Sequence, residues 1–318
     1  MRLVNSRYLW LVLALFPAFW LMVSGASYFL AVTKCNAGPA SNDAYIAYCL
    51  DRDYGDYEHE AFYFGLNNTG RALAEAQVLF LGNSKMQYAF SRDNVAPFFD
   101  ERNARFFVMG FGHGEQSRFP EVILQRHPAR PALAVINVDP FFTDGITEPA
   151  AFPVQHPIAA YVDAAFKSVA QVPRAWLCRR RPYSLLCAGE PAMMRSELTG
   201  QWNVAAFKPD PDPPYPTQPV APVAEEALRQ WLGRAGVIAP AFLKTLKARC
   251  VVFTAVPSDA GTVYAETLGA QLGVRFIKPD VAGLTTIDRI HLDRRSAIAW
   301  SDAFLRELDI VGRECGAW

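Results

Sequence analysis

The sequence lacks an excess of charge of either sign: Lys plus Arg number 31 and Asp plus Glu number 31, for a formal net charge of zero. Nucleic-acid binding draws on a basic field that neutralises phosphates, so that class is set aside. No Walker-type glycine loop is present to cradle a nucleotide phosphate. There is no CxxC pair, and only five histidines occur in the chain. Neither a zinc site nor a thioredoxin-like redox centre is therefore expected, and no metal or cofactor is implied. Cysteine is absent before Cys35, and all six cysteines follow the first apolar run.

What the chain does have is hydrophobic residues, 51% over 318 positions, enough for one substantial core with an insertion. From Tyr8 to Val32 no residue is charged. At about 1.5 Å per residue such a helix spans the roughly 30 Å hydrocarbon core of a bilayer. Arg2 and Arg7 precede it and Lys34 follows. The positive-inside rule then keeps the short tail cytoplasmic and exports the rest. The apolar run exceeds the usual h-region of about 7 to 15 residues, which favours a retained anchor over a cleaved signal peptide. The expected organisation is a tail and transmembrane anchor over residues 1–35 and an extracytoplasmic linker with a lead-in helix over 36–75. One domain follows over 76–318, interrupted at about 140–245.

An even cysteine count beyond the anchor suits an oxidising, periplasmic or otherwise extracytoplasmic compartment. Proximity favours Cys35 with Cys49 and Cys178 with Cys187, leaving Cys250 for Cys315.

Short β-branched and aromatic runs at 76–82, 104–110, 132–138, 250–256 and 274–279 end in Gly, Pro or Val and read as buried parallel strands. Helical patterns alternate with them at Lys85–Phe99, Gln116–Gln125, Ala260–Leu272 and Asp293–Leu308. In the last, Ala297, Trp300, Phe304 and Leu308 recur on one face. This alternation predicts an α/β fold with a parallel sheet, of three-layer α/β/α sandwich type. Residues 207–223 are too proline-rich for a helix or central strand. The insertion that contains them follows a strand's carboxyl end, where open α/β sheets bind ligands.

Two motifs carry chemistry. Ser84 lies in "LGNS", directly after the first strand; a serine there is most often a helix N-cap. "TTIDRIHLD" (285–293) places Asp288 three residues before His291, just ahead of the last helix. A carboxylate so placed can take the imidazole Nδ1–H and leave Nε2 to remove a hydroxyl proton. Ser84, His291 and Asp288 thus form a candidate catalytic triad.

These blocks resemble those of the SGNH (GDSL-like) hydrolase family. That family carries its nucleophile in G-D-S or G-N-S after the first strand and its Asp and His in D-x-x-H near the C-terminus. The resemblance implies a serine esterase or O-acyltransferase. With an N-terminal anchor it is similar to envelope proteins that add or remove acyl groups, commonly acetyl, on exported polysaccharides. It implies an oxyanion hole from the Ser84 backbone N–H and a glycine of "MGFGHGEQS", Gly110, Gly112 or Gly114, with Gly112 and Gly114 favoured. The family's Asn donor has no clean counterpart: Asn137 sits slightly early, and Asp139, if ionised, cannot donate. Asn83, Asp139 and His113 are candidate substrate-binding residues. The implied partners are the membrane, a carbohydrate or acylated polysaccharide, and an integral-membrane acyl donor. A non-catalytic binding or assembly role in a polysaccharide export complex is the alternative. His59, His127 and His156 have no constellation nearby in sequence. The Arg179–Arg181 run has the chemistry to grip an anionic sugar or lipid phosphate, though such a run is more often a solvated surface.

Overall fold

Five of the apolar runs pair into one sheet in the computed structural model, which describes residues 6–36, 43–52, 54–139, 141–181, 184–207, 210–217, 222–257 and 261–318. The strands are β1 (Val78–Asn83), β2 (Phe106–Phe111), β3 (Leu133–Asn137), β4 (Cys250–Thr254) and β5 (Arg275–Phe276). All pairings are parallel, and the spatial order is β2-β1-β3-β4-β5. Alternate residues feed two cores, as the pleat requires. Leu79, Leu81, Phe107, Met109, Ala134 and Ile136 join one cluster, and Val78, Phe80, Val108, Leu133 and Val135 join the other. With both faces buried, the strands read as continuous apolar runs.

The chain steps from β1 to β2 on one side and then returns to β3 on the other. A crevice therefore opens at the carboxyl ends of β1 and β3. Close strand contact there requires glycine: a Cβ on Gly82 would stand 2.9 Å from Met86 Cβ, and one on Gly110 would stand 2.8 Å from the Asn83 carbonyl.

The helix expected over Lys85–Phe99 is two helices, Ser84–Phe90 and Val95–Asp100. Between them Asn94 turns its amide onto Ser301 Oγ and Asp302 Oδ1 of the last helix, a side-chain bond that competes with helix continuation. That last helix, Arg294–Glu314, starts at Asp293, whose carboxylate accepts the Ser296 N–H at 2.8 Å.

The interruption between β3 and β4 contains ordered elements. Glu190–Ser196 pairs antiparallel with Ala44–Cys49 and parallel with Cys35–Asn36 in a separate three-stranded sheet. In the proline-rich run, Tyr215–Pro216 pairs with Thr285–Thr286; residues 208–209 and 218–221 lie outside the described residues. The helix Glu225–Leu246 buries Trp231, Ala235, Ala239, Phe242 and Leu246 in the first core cluster, so the main core resumes there. Disulfides join Cys35–Cys49, Cys178–Cys187 and Cys250–Cys315, the pairing that proximity favoured.

Ser6–Thr33 forms one helix with Pro17 inside it, and Trp10–Thr33 has mean hydropathy 1.7. By length and composition it can cross a membrane or serve as a signal sequence. Arg2, on which the orientation expectation partly rests, lies outside the described residues.

Candidate active site

The strand-to-helix turn answers the capping question. Asn83 is the N-cap, its side-chain oxygen accepting the Lys85 N–H at 3.0 Å, so Ser84 is the first helical residue and its hydroxyl is free for another partner. That partner is His291: Nε2 and Ser84 Oγ are 2.8 Å apart across 207 residues of sequence. His291 Nδ1 is 2.8 Å from Asp288 Oδ2, while Asp288 Oδ1 accepts the N–H groups of Ile290 (3.1 Å) and His291 (2.9 Å). One carboxylate oxygen thus fixes the turn and the other fixes the ring.

The Asp288–His291 turn is itself braced. Ile287 N–H donates to the His291 carbonyl at 2.9 Å, and Arg289 N–H donates to Thr286 Oγ1 at 3.0 Å. Arg289 adopts φ 70°, a left-handed conformation that costs a non-glycine residue energy and is held by these bonds. Tyr88, one helical turn after Ser84, lays its ring against His291 with centroids 4.3 Å apart. Burial, then the Asp288 charge, push the Tyr88 hydroxyl up to about 12, so it stays neutral.

These groups line a cavity of about 310 Å³. Its apolar wall is Tyr48, Leu50, Met193, Trp202 and Phe207. Opposite chemistry comes from Asp56, Glu58, Gly112 and His113. Tyr48, Leu50, Asp56 and Glu58 all come from the polar stretch preceding β1, and Met193, Trp202 and Phe207 from the interruption.

The expected oxyanion donors are distributed unequally. Ser84 opens its helix, so its N–H belongs to the turn that has no intrahelical acceptor. Gly112 lines the cavity, but its N–H donates to Glu58 Oε1 at 3.1 Å. Gly114 is exposed at φ 70° with open space around it, away from the cavity lining. Gly110 is packed against β1 and does not line the cavity. Asn137 is buried below the crevice, its Oδ1 accepting the Val256 N–H at 2.9 Å, and it too is not part of the lining. Asp139 is buried and ion-paired with Lys85. Asn83 spends its oxygen on the cap and directs its amide towards the Asp139 carbonyl at 3.5 Å. Of the three candidate substrate-binding residues, only His113 lines the cavity.

Sequence reasoning missed Glu58 and the cluster behind it. Glu58 Oε2 accepts Arg195 Nη1 at 2.7 Å and Trp202 Nε1 at 3.0 Å, and Arg195 is fully buried. His59, which lacked a constellation in sequence, has one in space: its Nδ1 is 2.9 Å from Asp56 Oδ1 and its Nε2 3.6 Å from Glu115 Oε2. Burial alone would lower the His59 pKa, yet the charge and hydrogen bond of Asp56, the hydrogen bond to Glu115 and the Glu58 charge outweigh it and raise it to about 10. Asp56 is burdened by burial but is held well below the usual carboxylate range by His59 and His113. The hydrogen bond to Asp56 raises His113, whose Nε2 lies 3.5 Å away. The available signal was "DYEHE" (56–60), five titratable side chains in succession beside an apolar segment. Asp56, Glu58 and His59 offer ligand atoms close enough to hold a metal ion, but His59 and Glu58 are already engaged by protein partners.

Chemically, the arrangement holds a hydroxyl against an imidazole and a carboxylate against the imidazole's other nitrogen, all on the wall of one cavity, which is a geometry able to activate a serine as a nucleophile. No protein family, curated protein or solved structure matches the chain.

Proposed function

We propose that the chain is an exported, membrane-anchored serine-dependent acyl-transfer enzyme of the SGNH (GDSL-like) type. It either hydrolyses esters on a cell-envelope or exported polysaccharide or transfers acyl groups from an acyl donor to that polysaccharide's hydroxyls. The observation that carries this reading is the continuous contact Ser84 Oγ, His291 Nε2, His291 Nδ1, Asp288 Oδ2, both links at 2.8 Å. The strand order with two buried sheet faces supports the three-layer α/β/α sandwich of that family. Three disulfides and the apolar N-terminal helix support a domain outside the cytoplasm, held at the inner membrane.

In the proposed cycle His291 takes the Ser84 proton as Oγ attacks the ester carbonyl, and the Ser84 backbone N–H faces the developing oxyanion. The imidazolium, stabilised by Asp288, then protonates the departing alcohol. In the second half His291 deprotonates water, giving hydrolysis, or a sugar hydroxyl, giving transfer, as that oxygen displaces Ser84 from the acyl group. An integral-membrane partner that presents acyl groups fits the transfer direction and an anchored enzyme.

A second reading rests on one contact. Glu58 occupies the Gly112 amide, the backbone donor beside the cavity, which suits a fold that binds without turning over. Turnover of p-nitrophenyl acetate by the full chain in detergent, with and without an oligosaccharide acceptor, separates the two. Catalysis predicts that Ser84→Ala is slower by roughly 1,000-fold or more. Wild type no faster than Ser84→Ala under both conditions supports the binding role.

A further inference from the structure

The helix Pro157–Arg180 is amphipathic in the reverse of the usual sense. Its inward face carries Lys167, Gln171 and Arg174, all buried, along with Ala160, Ala164 and Cys178. Its outward face carries Ile158 (82% exposed), Val169 (71%), Val172 (68%) and Trp176 (52%). A helix on a water-facing surface turns its polar stripe outward, so this one is built for an apolar surrounding.

The inward polar groups are each engaged. Lys167 Nζ donates to the Asp56 carbonyl at 3.0 Å and pairs with Asp163 at 2.7 Å. Gln171 accepts the Ile46 N–H and donates to Tyr54 Oη, both at 2.7 Å, and Arg174 donates to the Cys35 carbonyl. The helix is therefore fixed in this orientation by bonds from its whole length, and the outward apolar stripe is not a consequence of loose packing.

Two further observations say what covers the stripe. The same helix packs on the N-terminal apolar helix: Phe166 stacks on Tyr28 at 5.0 Å and meets Trp20 edge-on at 6.2 Å, and Tyr28 Oη donates to Asp163 at 2.7 Å. The outward stripe is thus continuous with a helix able to cross a membrane. At its carboxyl end stand Arg179, Arg180 and Arg181, all exposed, with Arg180 stacked over Trp176 at 4.3 Å. The Cys178–Cys187 disulfide closes this basic turn and presents the exposed Leu185 beside it. An apolar stripe ending in an aromatic and a cluster of arginines matches the acyl-to-headgroup boundary of a bilayer.

We propose that Pro157–Arg180 lies in the bilayer interface alongside the anchor, its outward stripe in lipid and Arg179–Arg181 on anionic lipid headgroups. It is a second membrane contact, independent of the catalytic reading. Because Lys167 holds the Asp56 backbone, and Asp56 borders the Ser84 cavity, this contact fixes the distance of the cavity from the membrane surface.

The test uses the full chain carrying Val172→Cys or, separately, Val169→Cys, each labelled with the environment-sensitive fluorophore NBD; among the native cysteines none is free to compete. Val237→Cys, at a 74% exposed position on the Glu225–Leu246 helix, is the control. In vesicles of phosphatidylcholine with phosphatidylglycerol, probes at 169 and 172 are expected to emit blue-shifted light. Brominated acyl chains are expected to quench them severalfold more than the probe at 237. Replacing Arg179, Arg180 and Arg181 by Gln is expected to reduce that quenching in the anionic vesicles and to leave it unchanged in pure phosphatidylcholine. Probes at 169 and 172 that respond to aqueous iodide as the 237 probe does overturn the proposal. So does shielding that persists in detergent and rises with protein concentration, which assigns the stripe to a second copy of the chain.

Discussion

Gly112 gives its backbone N–H to Glu58 Oε1 at 3.1 Å, on the wall of the cavity that Ser84 also lines. The amide that the proposed acyl transfer would use as an oxyanion donor is thus held by a carboxylate, whose second oxygen is fixed by Arg195 and Trp202. Glu58 joins the strand Glu190–Ser196 to the loop after β2 through one side chain.

Glu58 and Arg195 form an ion pair buried on both sides. Removing one partner leaves an uncompensated charge, which typically costs about 3–5 kcal/mol. Glu58→Ala is expected to lose that much in urea unfolding, and the double variant Glu58→Ala/Arg195→Met to recover most of it. Additive losses in the double variant would contradict the pairing.

Tyr88 lays its ring against His291 with centroids 4.3 Å apart, where, on the proposed mechanism, it would stabilise an imidazolium. Such contacts are worth about 0.5–2 kcal/mol, or roughly 2- to 30-fold in rate. Tyr88→Leu is expected to lower kcat by that factor, with Tyr88→Phe close to wild type because the hydroxyl is neutral and takes no part.

Stability should decline on the alkaline side. His59 is raised from 6.5 to about 10, so the native state holds its proton more tightly than the unfolded chain. Its contribution is complete below about pH 6.5 and is lost as pH rises towards 10. Glu60, raised by burial and by Asp163 from 4.5 to about 9 despite Lys167, retains its proton in the native state and weakens stability in the same direction above pH 4.5. Asp56 is lowered, so its contribution exists above the ordinary value of 3.8 and disappears as pH falls below it. Thermal melts of wild type are expected to fall from pH 7 to 10, and His59→Gln to show a flatter decline. Equal slopes in the two proteins would contradict the assignment.

Cys250–Cys315 ties the start of β4 to the end of the last helix across 65 residues of sequence. Loop-closure entropy puts its contribution at about 4 kcal/mol. The Cys250→Ala/Cys315→Ala protein is expected to unfold at correspondingly lower denaturant, while Cys178→Ala/Cys187→Ala, closing a separation of 9, is expected to lose less.

Elements whose determinants are local were legible in the sequence. The five strands are apolar runs stopped by Gly, Pro or polar residues, and the Asp288–His291 turn announces itself by spacing. The break at Ser91–Asn94 was not legible, because it depends on bonds from Asn94 to Ser301 and Asp302, more than 200 residues away. The same holds for Glu58 and His59, whose partners Arg195, Trp202, Gly112 and Glu115 come from other parts of the chain. Asn137 and Asp139 looked like site residues by order along the chain, but strand register buries one and Lys85 pairs with the other. For the Arg179–Arg181 run the sequence offered an anionic sugar, a lipid phosphate or plain solvent, and it took the outward stripe of its helix beside the anchor to favour the lipid.

The most direct measurement of the central claim is intact-protein mass after brief exposure to a fluorophosphonate, with the modified peptide sequenced. An activated hydroxyl predicts a single adduct on Ser84, absent from Ser84→Ala and formed roughly 100- to 10,000-fold more slowly in His291→Ala. Labelling that spreads over several serines, or that proceeds as fast without His291 as with it, would contradict the triad.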